Sequence, residues 1–256
     1  MKTFRFIGMA LLAVCVSFAS CSSDDEDENN GGGGFTNSKK LISISKDSDD
    51  ESATTNFIYG EDGKLIHTAY VVDEDFERYV TIDYTWNNNT ITAIYKKGNG
   101  YETNYTIRLQ DGKISTSNNH GLIMQAVTTY SENYLKGITG YYAEKYTWEN
   151  GNITKLNDYD CTYYSDKINK HCTIEVFDLF LGRAATGLDD LVMAHPDLVG
   201  ISNKNLLKSR KNSRIATTYS YELDKDGYPT KIFVADTYTE DGHSTITTIV
   251  YTLNWN

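Results

Sequence analysis

Four cysteines and five histidines are the residues of this 256-residue chain best suited to covalent or metal chemistry. The histidines are His67, His120, His171, His195 and His243, scattered singly. None belongs to a helical pair of the kind that grips zinc. No serine lies in a Gly-x-Ser-x-Gly elbow, and the sequence has neither a phosphate-cradling glycine loop nor a dinucleotide fingerprint. The run Glu222–Gly227 has some of the acidic spacing of a calcium loop. Phe233 stands where that loop needs its bidentate glutamate, so the run reads as a hairpin turn. Carboxylate pairs suited to glycoside hydrolysis cannot be singled out among 35 acids. The expectation is a chain with no catalytic residue, no metal site and no cofactor, and so not an enzyme.

Cys21 has the most telling setting. Lys2 and Arg5 give a positive start, and Phe6 to Phe18 is almost wholly apolar or small. That run is shorter than the roughly 20 residues a membrane-spanning helix needs. A charged start, a short apolar run and small residues before a cut make a secretory signal, residues 1–20. Phe18-Ala19-Ser20-Cys21 resembles the lipobox of bacterial lipoproteins, with Phe18 where leucine is usual. The resemblance implies acylation of Cys21. Each buried methylene is worth about 0.8 kcal/mol, and two chains suffice for stable attachment. Residues 21–39 follow as a tether, with five successive acids from Asp24 to Glu28 and glycine from Gly31 to Gly34. Such a stretch cannot bury enough apolar surface to offset its ordering entropy. Acids just after the cysteine resemble the surface-export signal of some Gram-negative anaerobes. The expected location is the outer membrane, lipid-anchored, at the cell surface or otherwise on the periplasmic face.

Cys15 leaves with the signal, so Cys161 and Cys172 remain as an even pair in an exported protein. The residues between them, 163–170, read as a hairpin centred near Asp166 and Lys167. That would set the two cysteines face to face, either as a disulfide or as two thiols. A zinc site is not expected there, because His171 is the only other ligand close by.

Formal net charge is -11, and loss of Lys2 and Arg5 with the signal takes it to -11 - 2 = -13. Nucleic acid, which needs clustered cations, is excluded as a partner. Tyrosine is abundant at 20 and proline scarce at 2, which favours strands. The body of the chain, residues 40–256, is expected to be a single β-rich domain. Its repeats say how it is built. Tyr84-Thr85-Trp86-Asn87-Asn88-Asn89-Thr90-Ile91-Thr92-Ala93-Ile94 matches residues 146–156, from Tyr146 and Trp148 to Ile153 and Leu156, at six of eleven positions. The stretches 107–114, 58–65 and 221–228 share the same frame around an Asp-Gly turn. Positive-φ turn residues flanked by alternating apolar positions make β-hairpins. Ile249, Tyr251, Leu253 and Trp255 likewise share one face of a final strand. The fold class is therefore mainly β, a curved antiparallel meander, half-open to barrel-like. A helical insertion is expected near 178–208, where Leu188, Leu191 and Val192 follow Ala184 at helical spacing. It should cover the apolar face, with Met193 and the leucines as core.

These hairpin units resemble tyrosine-aspartate repeats of the Rhs type. Leu198-Val199-Gly200-Ile201-Ser202-Asn203-Lys204-Asn205-Leu206-Leu207, followed by Tyr219 to Ile232, is similar to a family of lipoprotein domains with a porin-like fold. That family carries no assigned catalytic residues, and the resemblance implies none here. It implies a sheet curling towards a barrel, interrupted by a helical segment. Arg108, Lys155 and Lys231 fall on strands and argue against a lipid-facing band, and hence against a pore. Three functions fit. The first is a non-enzymatic binding or interaction lipoprotein, its ligand a glycan or a protein. The others are a structural lipoprotein of outer-membrane assembly and a glycan-processing hydrolase. Exposed Tyr84, Trp86, Tyr146 and Trp148 in a groove would favour glycan; the core is the expected place for them. A closed, packed interior would favour the structural role, and convergent carboxylates in a cleft the hydrolase.

Overall fold

The computed structural model describes residues 39–49, 51–72, 75–119, 124–140, 143–170, 188–240 and 243–256. Residues from Ser38 onward form a compact unit of their own. The strands are β1 Leu41–Ser48, β2 Ser52–Tyr59, β3 Leu65–Val72, β4 Asp75–Asn87, β5 Thr90–Lys97, β6 Glu102–Gln110, β7 Lys113–Asn119 and β8 Met124–Ser131. The second half continues with β9 Tyr134–Gly140, β10 Glu144–Glu149, β11 Asn152–Leu156 and β12 Tyr159–Ile168. It ends with β13 Asn205–Lys211, β14 Ile215–Leu223, β15 Pro229–Glu240 and β16 His243–Trp255. Between β12 and β13 lie a helix, α1 Leu188–Ala194, and a 3-10 turn, Pro196–Val199.

Each strand pairs antiparallel with its neighbours in the chain, and β1 pairs with β16, closing the barrel. The sequence leaves a half-open sheet in play; the register Ile44↔Leu253 through Ser48↔Ile249 settles it as closed. All five hairpins expected from the turn signals form, at β2–β3, β4–β5, β6–β7, β10–β11 and β14–β15. Asp111-Gly112 and Asn150-Gly151 have positive φ at both residues, the conformation of a tight hairpin turn. Glu132-Asn133, φ 52 and 67, does the same between β8 and β9 without glycine.

Burial follows the pleat. In β6, Thr103, Tyr105 and Ile107 are buried while Glu102, Asn104 and Arg108 are exposed. The same alternation gives Ile91, Ala93 and Tyr95 in β5, and Tyr251 and Leu253 in β16. A single core cluster collects these inward residues with α1. A water-filled lumen would leave its lining exposed. Here Leu65, Ile91, Ile107 and Ile232 are 0% exposed, so the inside is packed. The outside is polar, with pairs such as Lys231–Glu222 at 3.2 Å and Lys155–Asp160 at 3.4 Å.

Two expectations need correction. Asp166 and Lys167 make no turn, because β12 runs through them to Ile168 and pairs with β13. The insertion is helical over 188–194, but Asn205 to Lys208 belong to β13. Residues 178–187, including Ala184, lie outside the described residues.

Candidate functional site: the plugged end of the barrel

Turns after even-numbered strands gather at one end of an antiparallel barrel. Both ends of the compact unit also meet there, where Lys40 and Asn256 exchange backbone hydrogen bonds of 3.4 and 3.1 Å. The chain enters at Lys39, whose Nζ lies 2.6 Å from both Asp224 and Asp226. Asp224 Oδ1 also accepts the Asp226 and Tyr228 amides, each at 2.9 Å. The run read as a turn rather than a calcium loop is thus a turn, and it pins the entry point.

A ring of aromatic donors lies just inside this end. Trp86 donates its indole N–H to the Leu65 carbonyl (2.8 Å), Trp148 to Leu135 (2.6 Å) and Trp255 to Pro229 (2.7 Å). Tyr59, Tyr130 and Tyr221 donate their hydroxyls in the same way to Leu41, Ile114 and Leu207. Each sits at or near the end of an even-numbered strand and bonds the first turn of the strand before it. The repeated Tyr-x-Trp motif is thus a structural device. Tyr84 and Tyr146 are buried, and Trp86 and Trp148 pack against the core. They do not form the exposed groove that sugar stacking needs.

The segment after α1 closes this end. Every α1 residue except Asp190 is buried, which a seven-residue helix achieves only when surrounded. Asp190 Oδ2 accepts the Thr68 hydroxyl at 2.8 Å, and His195 Nε2 accepts the Leu65 amide at 2.9 Å, so β3 holds the helix at both ends. The His195 ring meets Trp86 edge-on, with centroids 5.2 Å apart, and Tyr59 at 6.1 Å. The chain then touches successive turns. Ile201 donates its amide to Asn133 O (3.0 Å) and Lys204 donates to Gly151 O (2.9 Å), while Asn203 Oδ1 accepts the Ile153 amide (2.6 Å). The segment from α1 to Asn205 is a plug crossing the turn end from β3 to β13.

The plug carries three perturbed titratable groups close together in the chain. Burial raises the Asp189 carboxyl well above the carboxylate range, helped by Asp190 and Glu144. Its Oδ1 has no hydrogen-bond partner. Desolvation at its half-buried position pushes Asp190 up to about 6, against the Thr68 hydrogen bond. Burial also lowers His195, keeping its ring neutral. Neighbouring residues on a helix point about 100° apart, so Asp189 and Asp190 do not converge on one point as a hydrolase pair would. Asp189 and Asp190 fall between apolar helix positions, and Leu188, Leu191, Val192, Met193 and Ala194 leave them no polar face, which is the sequence signal for their burial. Met193 and the leucines are core, as expected.

Among the described residues no group of three or more His, Cys, Asp or Glu side chains could hold a metal. Cys161 lies half-buried in β12. Cys172, Cys21, His120 and His171 lie outside the described residues, so neither the pairing of Cys161 nor the acylation of Cys21 is located here.

No protein-family model matches the chain, and no curated protein matches it. Solved structures do. A porin-like protein from Bacteroides uniformis superposes with a TM-score of 0.62 at 17% identity, covering 84% of this chain and 96% of that one. A porin-like protein from Bacteroides vulgatus gives 0.52 at 13% identity, covering 86% and 99%. The chain has a porin-like barrel fold.

Proposed function

We propose that this chain is a lipid-anchored outer-membrane protein whose barrel stands in water as a non-enzymatic interaction module. The observation that carries this reading is the direction of the pleat. A transmembrane barrel shows lipid an apolar band about 25 Å tall and keeps polar groups inside. This barrel reverses that, with Glu102, Asn104 and Arg108 outward on β6 and Tyr105 and Ile107 inward. A lysine or arginine facing lipid at mid-membrane costs about 2–4 kcal/mol. The strands are therefore poor membrane anchors, and attachment falls to acyl chains on Cys21. The acidic tether favours export to the cell surface. Engagement of a protein or glycan would use the outer wall or the loops away from the plug. Glycan loses its first support with the bonding of Trp86 and Trp148 into the wall.

The packed interior supports a second reading, a structural lipoprotein of outer-membrane assembly. The experiment for the anchor is metabolic labelling with palmitate. The chain takes up label and Cys21→Ser abolishes it; a labelled Cys21→Ser chain overturns the proposal. A glycan array with the purified domain then separates the readings, because binding to any sugar counts against a purely structural role.

A further inference from the structure

We propose that the plugged end of the barrel rests in the headgroup layer of the bilayer that holds the anchor, with its rim isoleucines among the lipids and its lysines among the phosphates. This deepens the proposed function and rests on acylation of Cys21.

Among the described residues, six of the seven exposed aliphatic side chains lie at the plugged end. Ile42 (36%), Ile58 (51%) and Ile66 (42%) lie side by side on the outer wall of β1, β2 and β3, next to the β2–β3 turn and the chain entry. Leu223 (38%) closes β14 at the same end, as Ile168 (61%) closes β12, and Ile201 (41%) sits on the plug. At the opposite end the corresponding residue is Ile246, with Tyr79, Tyr101 and Tyr238. Single exposed apolar residues such as Ile246 are ordinary, but six aliphatic side chains gathered at one end mark a surface with a partner.

The rim also carries lysines on aromatic rings. Lys39 lies 5.3 Å from the Tyr228 ring centre, Lys40 5.2 Å from Tyr59, Lys64 5.7 Å from Trp86 and Lys167 4.2 Å from Tyr164. Aliphatic tips beside aromatic rings and long cationic chains match the chemistry of a membrane–water interface. Lys39 pairs with Asp224 and Asp226, and Lys64 with Asp62 at 2.9 Å, so two of these four lysines meet carboxylates within the rim itself. A zwitterionic bilayer suits it better than an anionic one. Chain connectivity supplies the occupant. Seventeen residues, 22 to 38, separate the proposed anchor from Lys39 at this end. Seventeen residues reach at most about 60 Å when fully extended, so the rim lies within chain reach of the anchor. At that range a weak contact is intramolecular and becomes well populated.

The three tryptophans, Trp86, Trp148 and Trp255, all lie at this end and serve as built-in probes. The acylated mature protein is bound to phosphatidylcholine vesicles with and without a nitroxide on the headgroup. Flotation reports the anchor and tryptophan quenching reports the rim. The expected result is flotation with quenching for the native chain. In Ile58→Asp/Ile66→Asp, flotation persists and quenching is lost, with an unchanged near-ultraviolet circular dichroism spectrum. Ile246→Asp, at the far end, keeps both signals. Flotation without quenching, or quenching unaltered in the double variant, overturns the rim contact and leaves the isoleucines to a protein partner. A native chain that does not float overturns the anchor and the rim contact with it.

Discussion

His195 accepts a hydrogen bond from Leu65 N–H through Nε2 and so has to be neutral to hold the plug. Its surroundings include Lys40 and Lys64, which disfavour a proton, and Asp62 and Asp197, which favour one. Desolvation outweighs them all and lowers its pKa from 6.5 in the fold. The stability it provides is complete above that unfolded value and is lost as the pH falls below it through the folded value. Asp189 works in the other sense. Its folded pKa is raised from 3.8, so the fold bears no penalty below about 4 and loses stability as the pH rises. Thermal melts across pH check both. Asp189→Asn should melt higher than the native chain at pH 8 and equal to it below about pH 4. His195→Gln, which keeps an acceptor, should flatten the loss of Tm below about pH 6.5. The aromatic ring gives a third test. Tyr221→Phe removes the hydroxyl bonded to Leu207 O at 2.8 Å and should cost about 1 kcal/mol in urea unfolding, the net worth of a typical hydrogen bond.

The plug is fixed by backbone geometry as much as by side chains. Gly200 has φ +88, and a Cβ there would lie 2.2 Å from Asn133 O. Gly200→Ala should unseat the plug from the β8–β9 turn and cost on the order of 1–3 kcal/mol. Hydrogen exchange of the Ile201 amide, bonded to that carbonyl, should accelerate first. Gly112→Ala is the control, since φ is +75 but nothing lies within 4 Å, leaving only backbone strain of about 1 kcal/mol. The elements were legible in the sequence wherever a turn announced itself by Asp-Gly, Asn-Gly or the related Asn88-Asn89. Glu132-Asn133 escaped, because no glycine marks its two left-handed residues. Asp166-Lys167 misled, because pairing of Tyr163 with Leu207 and of Ile168 with Asn205 carries β12 past them. The helical spacing around Leu188 located α1, while the partners of Asp190 and of His195 lie more than a hundred residues away on β3. Contacts of that separation leave no local trace.

Alternation along each strand told which residues turn inward, but closure depends on the first strand meeting the last, a property of the accumulated register and twist. What the closed barrel encloses decides its relation to the membrane. A sixteen-strand barrel of porin type leaves a water-filled channel. Here inward Tyr84, Tyr105, Tyr146 and Tyr219, with the plug helix, fill it, and Glu102, Asn104 and Arg108 of β6 face outward. The lipobox-like setting of Cys21 stays a proposal from residue type and spacing, whereas the rim isoleucines could be grouped only once the strands were registered. Detergent phase partitioning of the unit beginning at Lys39, which leaves out Cys21 and the proposed anchor, tests the inverted pleat most directly. The unit should remain in the aqueous phase with its sheet intact by circular dichroism. Partitioning of that folded unit into the detergent phase would contradict the account, because the strands themselves would then be seeking lipid.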